Sequence, residues 1–275
     1  MGTSAKEKTA VMAKQPLSVK NTLIKYNALV ILLALIIVSS IISPFFLTWR
    51  NITNVLLQQV PYLLISMGVM LTIMTAGIDL SVAAVAGCGN VIVAIVITTW
   101  GREDVGVLFV GIAIAIALGG VIGIINGVLI GKLRMAAFII TLATMSAAQG
   151  VAYMMTGGAQ IQLKDEIAAA RALNWFASYR DPLLNMPIAV YLALVVILIF
   201  WFVMRYTPFG RLVLAVGSNE AAVRLAGINV TKYKFIVYII SGGLAAFAGV
   251  IAAGRTALGS PQFSTTSDYA LTTVA

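Results

Sequence analysis

Long apolar runs separated by short polar breaks set the pattern of this chain. Seven runs lie near residues 27–46, 60–76, 82–100, 105–131, 136–155, 186–204 and 235–253. Each is about long enough to cross hydrocarbon as a helix of roughly 20 residues. The second and third are short and nearly continuous. The first follows a polar, basic tail, residues 1–26, with Lys6, Lys8, Lys14, Lys20 and Lys25. Its apolar core, Ala28 to Ile42, is long for a signal peptide and no clear small-x-small cleavage site follows, so it reads as a retained span. The pattern predicts an all-α polytopic membrane protein, a bundle of about seven transmembrane helices over 27–253.

Composition agrees with lipid rather than water as the main solvent. Of 275 residues 61% are apolar and 10% charged, and the mean hydropathy is +1.02. A soluble domain of that length needs far more charge on its surface. The net charge of +9 could suggest nucleic acid, but its placement follows membrane topology. With the N-terminus cytoplasmic, segments 1–26, 77–81, 132–135 and 205–234 are inside and hold 12 of the Lys and Arg, against 6 outside. Acidic residues run the other way, 3 inside and 6 outside. The positive-inside rule therefore predicts an inside N-terminus and an outside Ala275.

Between 156 and 185 lies a polar outside segment. It reads either as a plain loop or as a short amphipathic surface helix with Trp175 and Phe176 as interfacial anchors. The fourth run carries Gly119, Gly123, Gly127 and Gly131 at i, i+4 spacing, one helix face. The seventh repeats the idea with Ala245, Gly249 and Ala253. Such stripes let backbones approach where lipid supplies no hydrophobic push between helices.

Candidate chemistry is sparse. Histidine is absent and Cys88 is the single cysteine, so no disulfide framework, no metal site and no histidine base are expected. A membrane enzyme would need a nucleophile–base pair, paired carboxylates or a metal cluster, and none is legible. Polar residues within or near the spans are Asp79, Asn90, Asn126, Thr141, Thr144, Ser146, Gln149 and Ser241. They should face other helices or a water-filled path. A neutral polar path suits a hydroxyl-rich solute better than an ion. The scarcity of carboxylates at membrane depth weighs against a stand-alone secondary transporter or channel, which remains the alternative.

The inside loop 205–234 is the most specific stretch. Thr207 to Gly210 is a turn signal; Ser218 or Asn219 can cap a helix, Glu220 suits its N-terminus and Gly227 its C-terminal end. A helix of about eight residues is too short to stand alone in water and should dock, onto the protein's own membrane face or into a cytoplasmic partner. The chain has no G-x-x-x-x-G-K-[ST] loop, so an ATP-driven process needs another subunit for ATP and Mg.

Three motifs, in order and spacing, carry a resemblance over nearly the whole chain after the tail. They are T-A-G-I-D-L-S-V (Thr75 to Val82), N-G-V-L-I-G-K-L-R-M-A-A-F-I-I-T-L-A-T-M (Asn126 to Met145), and T-P-F-G-R through S-N-E-A-A-V-R-L-A-G-I-N-V (Thr207 to Val230). The chain resembles the permease subunits of bacterial ABC importers for ribose, galactose, xylose and related sugars, within the branched-chain amino acid/monosaccharide permease superfamily. The resemblance implies an ATPase-coupling helix at Gly217, Ser218, Asn219, Glu220, Ala221, Ala222, Arg224, Ala226 and Gly227. It implies a second permease subunit (a homodimer), an ABC ATPase subunit and a periplasmic sugar-binding protein, all at the bacterial inner membrane. The chain would be a transport subunit and not an enzyme, binding no cofactor itself. Asp79, Ser81, Asn90, Asn126, Thr141, Thr144 and Gln149 are its candidate pathway residues. Ala83 and Ala143 stand where the family commonly has glycine. The outside segment 254–275 resembles a stretch that leads into further spans, so the chain is expected to be C-terminally shortened relative to the family.

Overall fold

A computed structural model describes residues 26–263. The basic tail up to residue 25, and the segment from 264 onward, lie outside the described residues. The chain divides into two compact units, residues 1–52 and 53–275.

In the first unit, α1 (Asn27–Ile42) is apolar on every face and has no buried residue. Its 16 residues rise about 24 Å, less than the expected 27–46 span, because the chain turns at Ser43. Among the described residues six other helices are long and apolar enough to cross a membrane. One of them, α2 (Trp49–Met74), begins well before the expected start at 60. Hydropathy missed its first turns because Arg50, Asn51, Asn54, Gln58 and Gln59 dilute it. The buried positions Thr53, Leu57, Val60, Pro61, Leu64 and Ile65 nevertheless keep helical spacing.

The second unit is built around α3 (Val82–Trp100), in which 15 of 19 residues are buried. Burial on every face puts it at the centre of this unit. Around it stand α4 (Val107–Gly127), which runs on into a π-turn at Val128–Lys132, then α5 (Ala137–Thr156) and α10 (Val230–Thr256), with α7 (Ile188–Tyr206) also in this unit. In α7 only Ala189 and Ala193 are buried, while Leu194, Val195, Leu198, Ile199, Trp201 and Phe202 stand exposed.

The small-residue stripes lie at the closest helix contacts. Gly119, Gly123 and Gly127 of α4, and Gly131 of the π-turn that continues it, all face α10, against Gly242, Tyr238, Phe235 and Thr231 respectively. A Cβ on Gly127 would sit 2.9 Å from the Phe235 Cα. On its other side α10 meets α3: a Cβ on Gly249 would fall onto the Ala86 carbonyl, and one on Gly89 would sit 2.8 Å from the Ala246 Cα. Ala245 and Ala253 are fully buried in the same packing. One helix thus holds the bundle by backbone contact on two sides.

Segment 156–185 is more than a loop. Its strand β1 (Ile161–Gln162) pairs antiparallel with β2 (Leu258–Gly259), which follows α10. Next comes α6 (Ala168–Ser178), which is amphipathic and buries Ala169, Ala170, Leu173 and Ala177. Trp175 is exposed, but Phe176, expected as a second interfacial anchor, packs against the core instead. Their places on the helix differ by about 100°, so one faces out while the other turns inward.

Gly119→Ala should press a methyl into the Gly242 carbonyl and lower stability by about 1–3 kcal/mol. Gly120→Ala, with open space before it, should raise stability by about 0.5 kcal/mol. Unfolding titrations in mixed detergent micelles would read both.

Candidate functional site

Two polar clusters of the second unit both hang on α10.

The first lies where the α2–α3 loop meets the bundle. Asp79 is buried, and three donors converge on its carboxylate. Its Oδ1 accepts from the Ser81 amide at 3.0 Å and the Ser81 hydroxyl at 2.6 Å; its Oδ2 accepts from the Ser241 hydroxyl of α10 at 2.8 Å. Asn126 of α4 donates to the Ser81 hydroxyl at 3.0 Å. One carboxylate therefore ties a loop and two helices together. Two buried polar atoms beside this network, the Asn126 Oδ1 and the Tyr238 hydroxyl, have no protein partner.

The other candidate pathway residues lie apart from it. Asn90 is buried between backbones: it donates to the Gly249 carbonyl at 3.1 Å and accepts from the Ser260 amide at 2.7 Å. Both halves of its amide are used, so it serves as a clasp. Thr141 and Thr144 turn their hydroxyls back to carbonyls of their own helix, Ala137 at 2.9 Å and Ile140 at 3.0 Å. Thr141 also comes within 3.4 Å of the Ile78 carbonyl. Gln149 is half-buried on α5, near the exposed Ser146, Ala147 and Gly150. Among the described residues no three His, Cys, Asp or Glu come together as a metal site.

The second cluster is the loop 205–234, which folds as two helices. In α8 (Pro208–Ser218) Thr207 caps the N-terminus and Pro208 occupies the first turn, where a missing N–H costs nothing. Gly217 lies against the Met74 and Ala76 backbone at the start of the Asp79 loop. In α9 (Glu220–Leu225) the capping residue is Asn219, whose Oδ1 accepts from the Ala222 amide at 3.0 Å. Ser218 instead donates to the Leu214 carbonyl at 2.9 Å. The helix has 6 residues, shorter than expected, and ends before Gly227 at φ +78°.

Glu220 fastens α9 to the bundle. It accepts from Arg224 one turn on and from Lys234 of α10, the latter at 2.6 Å. The Lys234 hydrogen bond, with Arg224 adding to it, holds the Glu220 carboxyl below its ordinary range. On the outer side Ala221, Ala222 and Ala226 are exposed, and Leu225 is 90% exposed. Together they give this short helix a small apolar outer face. Lys234, Tyr238 and Leu225 were not among the residues singled out from the sequence. Only Leu225 had a signal there: a leucine in a short helix that buries nothing else on that side.

Residues 51–275 match the family described as branched-chain amino acid transport system / permease component. The chain belongs to this permease family. It is 37% identical over 246 residues to the ribose import permease protein RbsC of Escherichia coli strain K12, covering 90% of this chain and 74% of that protein. The L-arabinose transport system permease protein AraH of the same strain is 34% identical, covering 87% of this chain and 70% of the relative. RbsC of Bacillus subtilis strain 168 is 36% identical, covering 89% and 72%. No solved structure matches the chain significantly. The family makes this permease a multi-pass membrane protein, in keeping with its six long apolar helices.

Ser241→Ala removes one of the donors on Asp79 and should lower stability by about 2 kcal/mol. Ser146→Ala, exposed and bonded only to its own helix, should change it little. Thermal melting of the purified chain would distinguish them. Glu220 adds a pH signature. Its folded pKa lies below that of a free glutamate, so the latch contributes fully above the free value. The contribution is lost as pH falls through the folded pKa. Amide exchange in α9, corrected for intrinsic rates, should rise over that acidic window and stay flat in Glu220→Gln.

Proposed function

We propose that this chain is the membrane-spanning permease subunit of an ATP-driven ABC importer that carries a monosaccharide, of ribose or arabinose type, across a bacterial inner membrane. The observation that carries the reading is the similarity to sugar import permeases over about nine-tenths of the chain. The exposed Ala221, Ala222, Leu225 and Ala226 of α9 support it, as a small apolar face suited to a partner's cleft.

On this reading the N-terminus and the loop 205–234 face the cytoplasm, as the distribution of Lys and Arg favours. Residues 27–253 form the permease domain, with segments 156–185 and 254–275 on the periplasmic side. Gly217, Ser218, Asn219, Glu220, Ala221, Ala222, Arg224, Ala226 and Gly227 enter a cleft of an ABC ATPase subunit, which binds the ATP and Mg. A second permease subunit completes a homodimer, and a periplasmic sugar-binding protein delivers the solute. Transport then follows alternating access: ATP draws the ATPases together, and α8 and α9 pass the displacement to the bundle. Asp79, Ser81, Asn126 and Gln149 are candidates for the pathway. Asn90, Thr141 and Thr144, with their hydrogen bonds met, contribute by shaping it.

The test is reconstitution in proteoliposomes with the ATPase and the binding protein. Uptake should require ATP and all the components; uptake driven by an ion gradient with the permease alone would refute the reading. Leu225→Asp and Arg224→Glu should each cut uptake at least about tenfold and weaken ATPase co-purification, since buried hot-spot side chains carry most of an interface's energy.

A further inference from the structure

A cavity of about 280 Å³ opens between the α2–α3 loop, the chain leaving the π-turn, α9 and the first half of α10. Thr75, Gly77, Arg134, Glu220, Lys234 and Tyr238 line it. None of the residues expected along the pathway does so, and Glu220 alone belongs to the expected coupling helix.

Three features mark it as built for a ligand. The Tyr238 hydroxyl is fully buried and has no hydrogen-bond partner. Native structures rarely leave such a group unmet, so each case calls for an explanation. Only a glycine at position 77 lets the backbone pass so close to this group, because a Cβ there would lie 2.5 Å from the hydroxyl oxygen. The wall beside it departs from regular helix. The end of α4 widens into a π-turn, and Arg134 follows at φ +56°, a strained conformation for a residue with a side chain. Both departures concentrate at functional sites. Finally, the lining mixes donors with an acceptor: the Arg134 guanidinium, which has no partner among the described residues, the tyrosine hydroxyl, and the Glu220–Lys234 pair.

That mixture fits hydroxyl groups, which both donate and accept. An anion would meet the Glu220 carboxylate. The volume suits one sugar ring and falls short of the usual drug-sized pocket. We propose that this cavity binds a neutral polyhydroxylated solute of monosaccharide size, held by Tyr238 and Arg134 and bordered by the Glu220–Lys234 latch. Its placement on the cytoplasmic side rests on the permease reading. A ligand there touches the residues that fasten α9, so its occupancy and the engagement of a partner on α9 are linked, each altering the affinity of the other.

The purified full chain in detergent would be titrated calorimetrically with D-ribose and L-arabinose, and with ribose phosphate as a charged probe. At least one neutral pentose should bind, and ribose phosphate should bind no more tightly. Tyr238→Phe, which keeps the buried ring, should weaken binding about tenfold, the scale of one lost hydrogen bond. Ala137→Phe, at the rim, should fill the space and abolish binding. Absence of pentose binding, unchanged affinity in Tyr238→Phe, or tighter binding of the phosphate would overturn the proposal. Uptake by the assembled transporter is read separately. Uptake without binding at this cavity sinks only the cavity, and binding without ATP-dependent uptake sinks only the permease reading.

Discussion

Helices in lipid gain no hydrophobic free energy from touching one another, because the tails around them are as apolar as leucine. What holds a bundle is contact close enough for dispersion to accumulate over many atoms, and that demands small residues where backbones cross. In this chain α10 meets that demand on two sides. Gly242 and its neighbours receive the glycine stripe of α4, while Ala246 and Gly249 receive Gly89 and Ala86 of α3. Side chains of any size on these rows would push three helices apart at once. The polar contacts of the second unit depend on that closeness, since they span gaps that exist only because the backbones are near.

Two such contacts give α10 a further part. Near one end Lys234 holds Glu220, and with it α9; about two turns on, Ser241 holds Asp79. Gly217, at the end of α8, lies against the chain that leads into the Asp79 loop. The loop 205–234 therefore reaches the interior by two rigid routes, one through α10 and one through the α2–α3 loop. A six-residue helix could not transmit force by itself, being too short to persist in water. Here it is fastened at Glu220 and abutted through α8, so it is tied to the bundle.

The sequence showed much of this because membrane folds have few signals and those are strong. Apolar runs located the long helices, and i, i+4 glycines marked the face on which α4 meets α10. It failed where hydropathy is a poor guide to helix. The first turns of α2 are polar yet helical, since Thr53 and Leu57 pack inward while Gln58 and Gln59 do not. Nor could an inventory of polar residues say which were satisfied. Asn90 and Asn126 look alike in the sequence, yet one has both ends of its amide bonded and the other leaves its oxygen unmet. That difference depends on backbone groups far along the chain, Gly249 and Ser260, which composition and spacing do not connect. Tyr238 was passed over for a similar reason: a tyrosine in an apolar helix reads as packing until its hydroxyl is found without a partner.

On the reading proposed above, the same geometry bears on how an importer subunit could respond to a solute that has already crossed. Glu220 is shared by three groups: Arg224 on its own helix, Lys234 on α10, and the cavity it borders. A carboxylate has a limited number of lone pairs, so a hydroxyl that takes one competes with a cation that holds it. On the reading proposed above, a sugar in the cavity would loosen or reinforce the fastening of α9 according to which oxygen it engaged. A partner seated on Leu225 would feel the difference. Coupling of this kind needs no movement of the spans, only a change in which donors share one carboxylate.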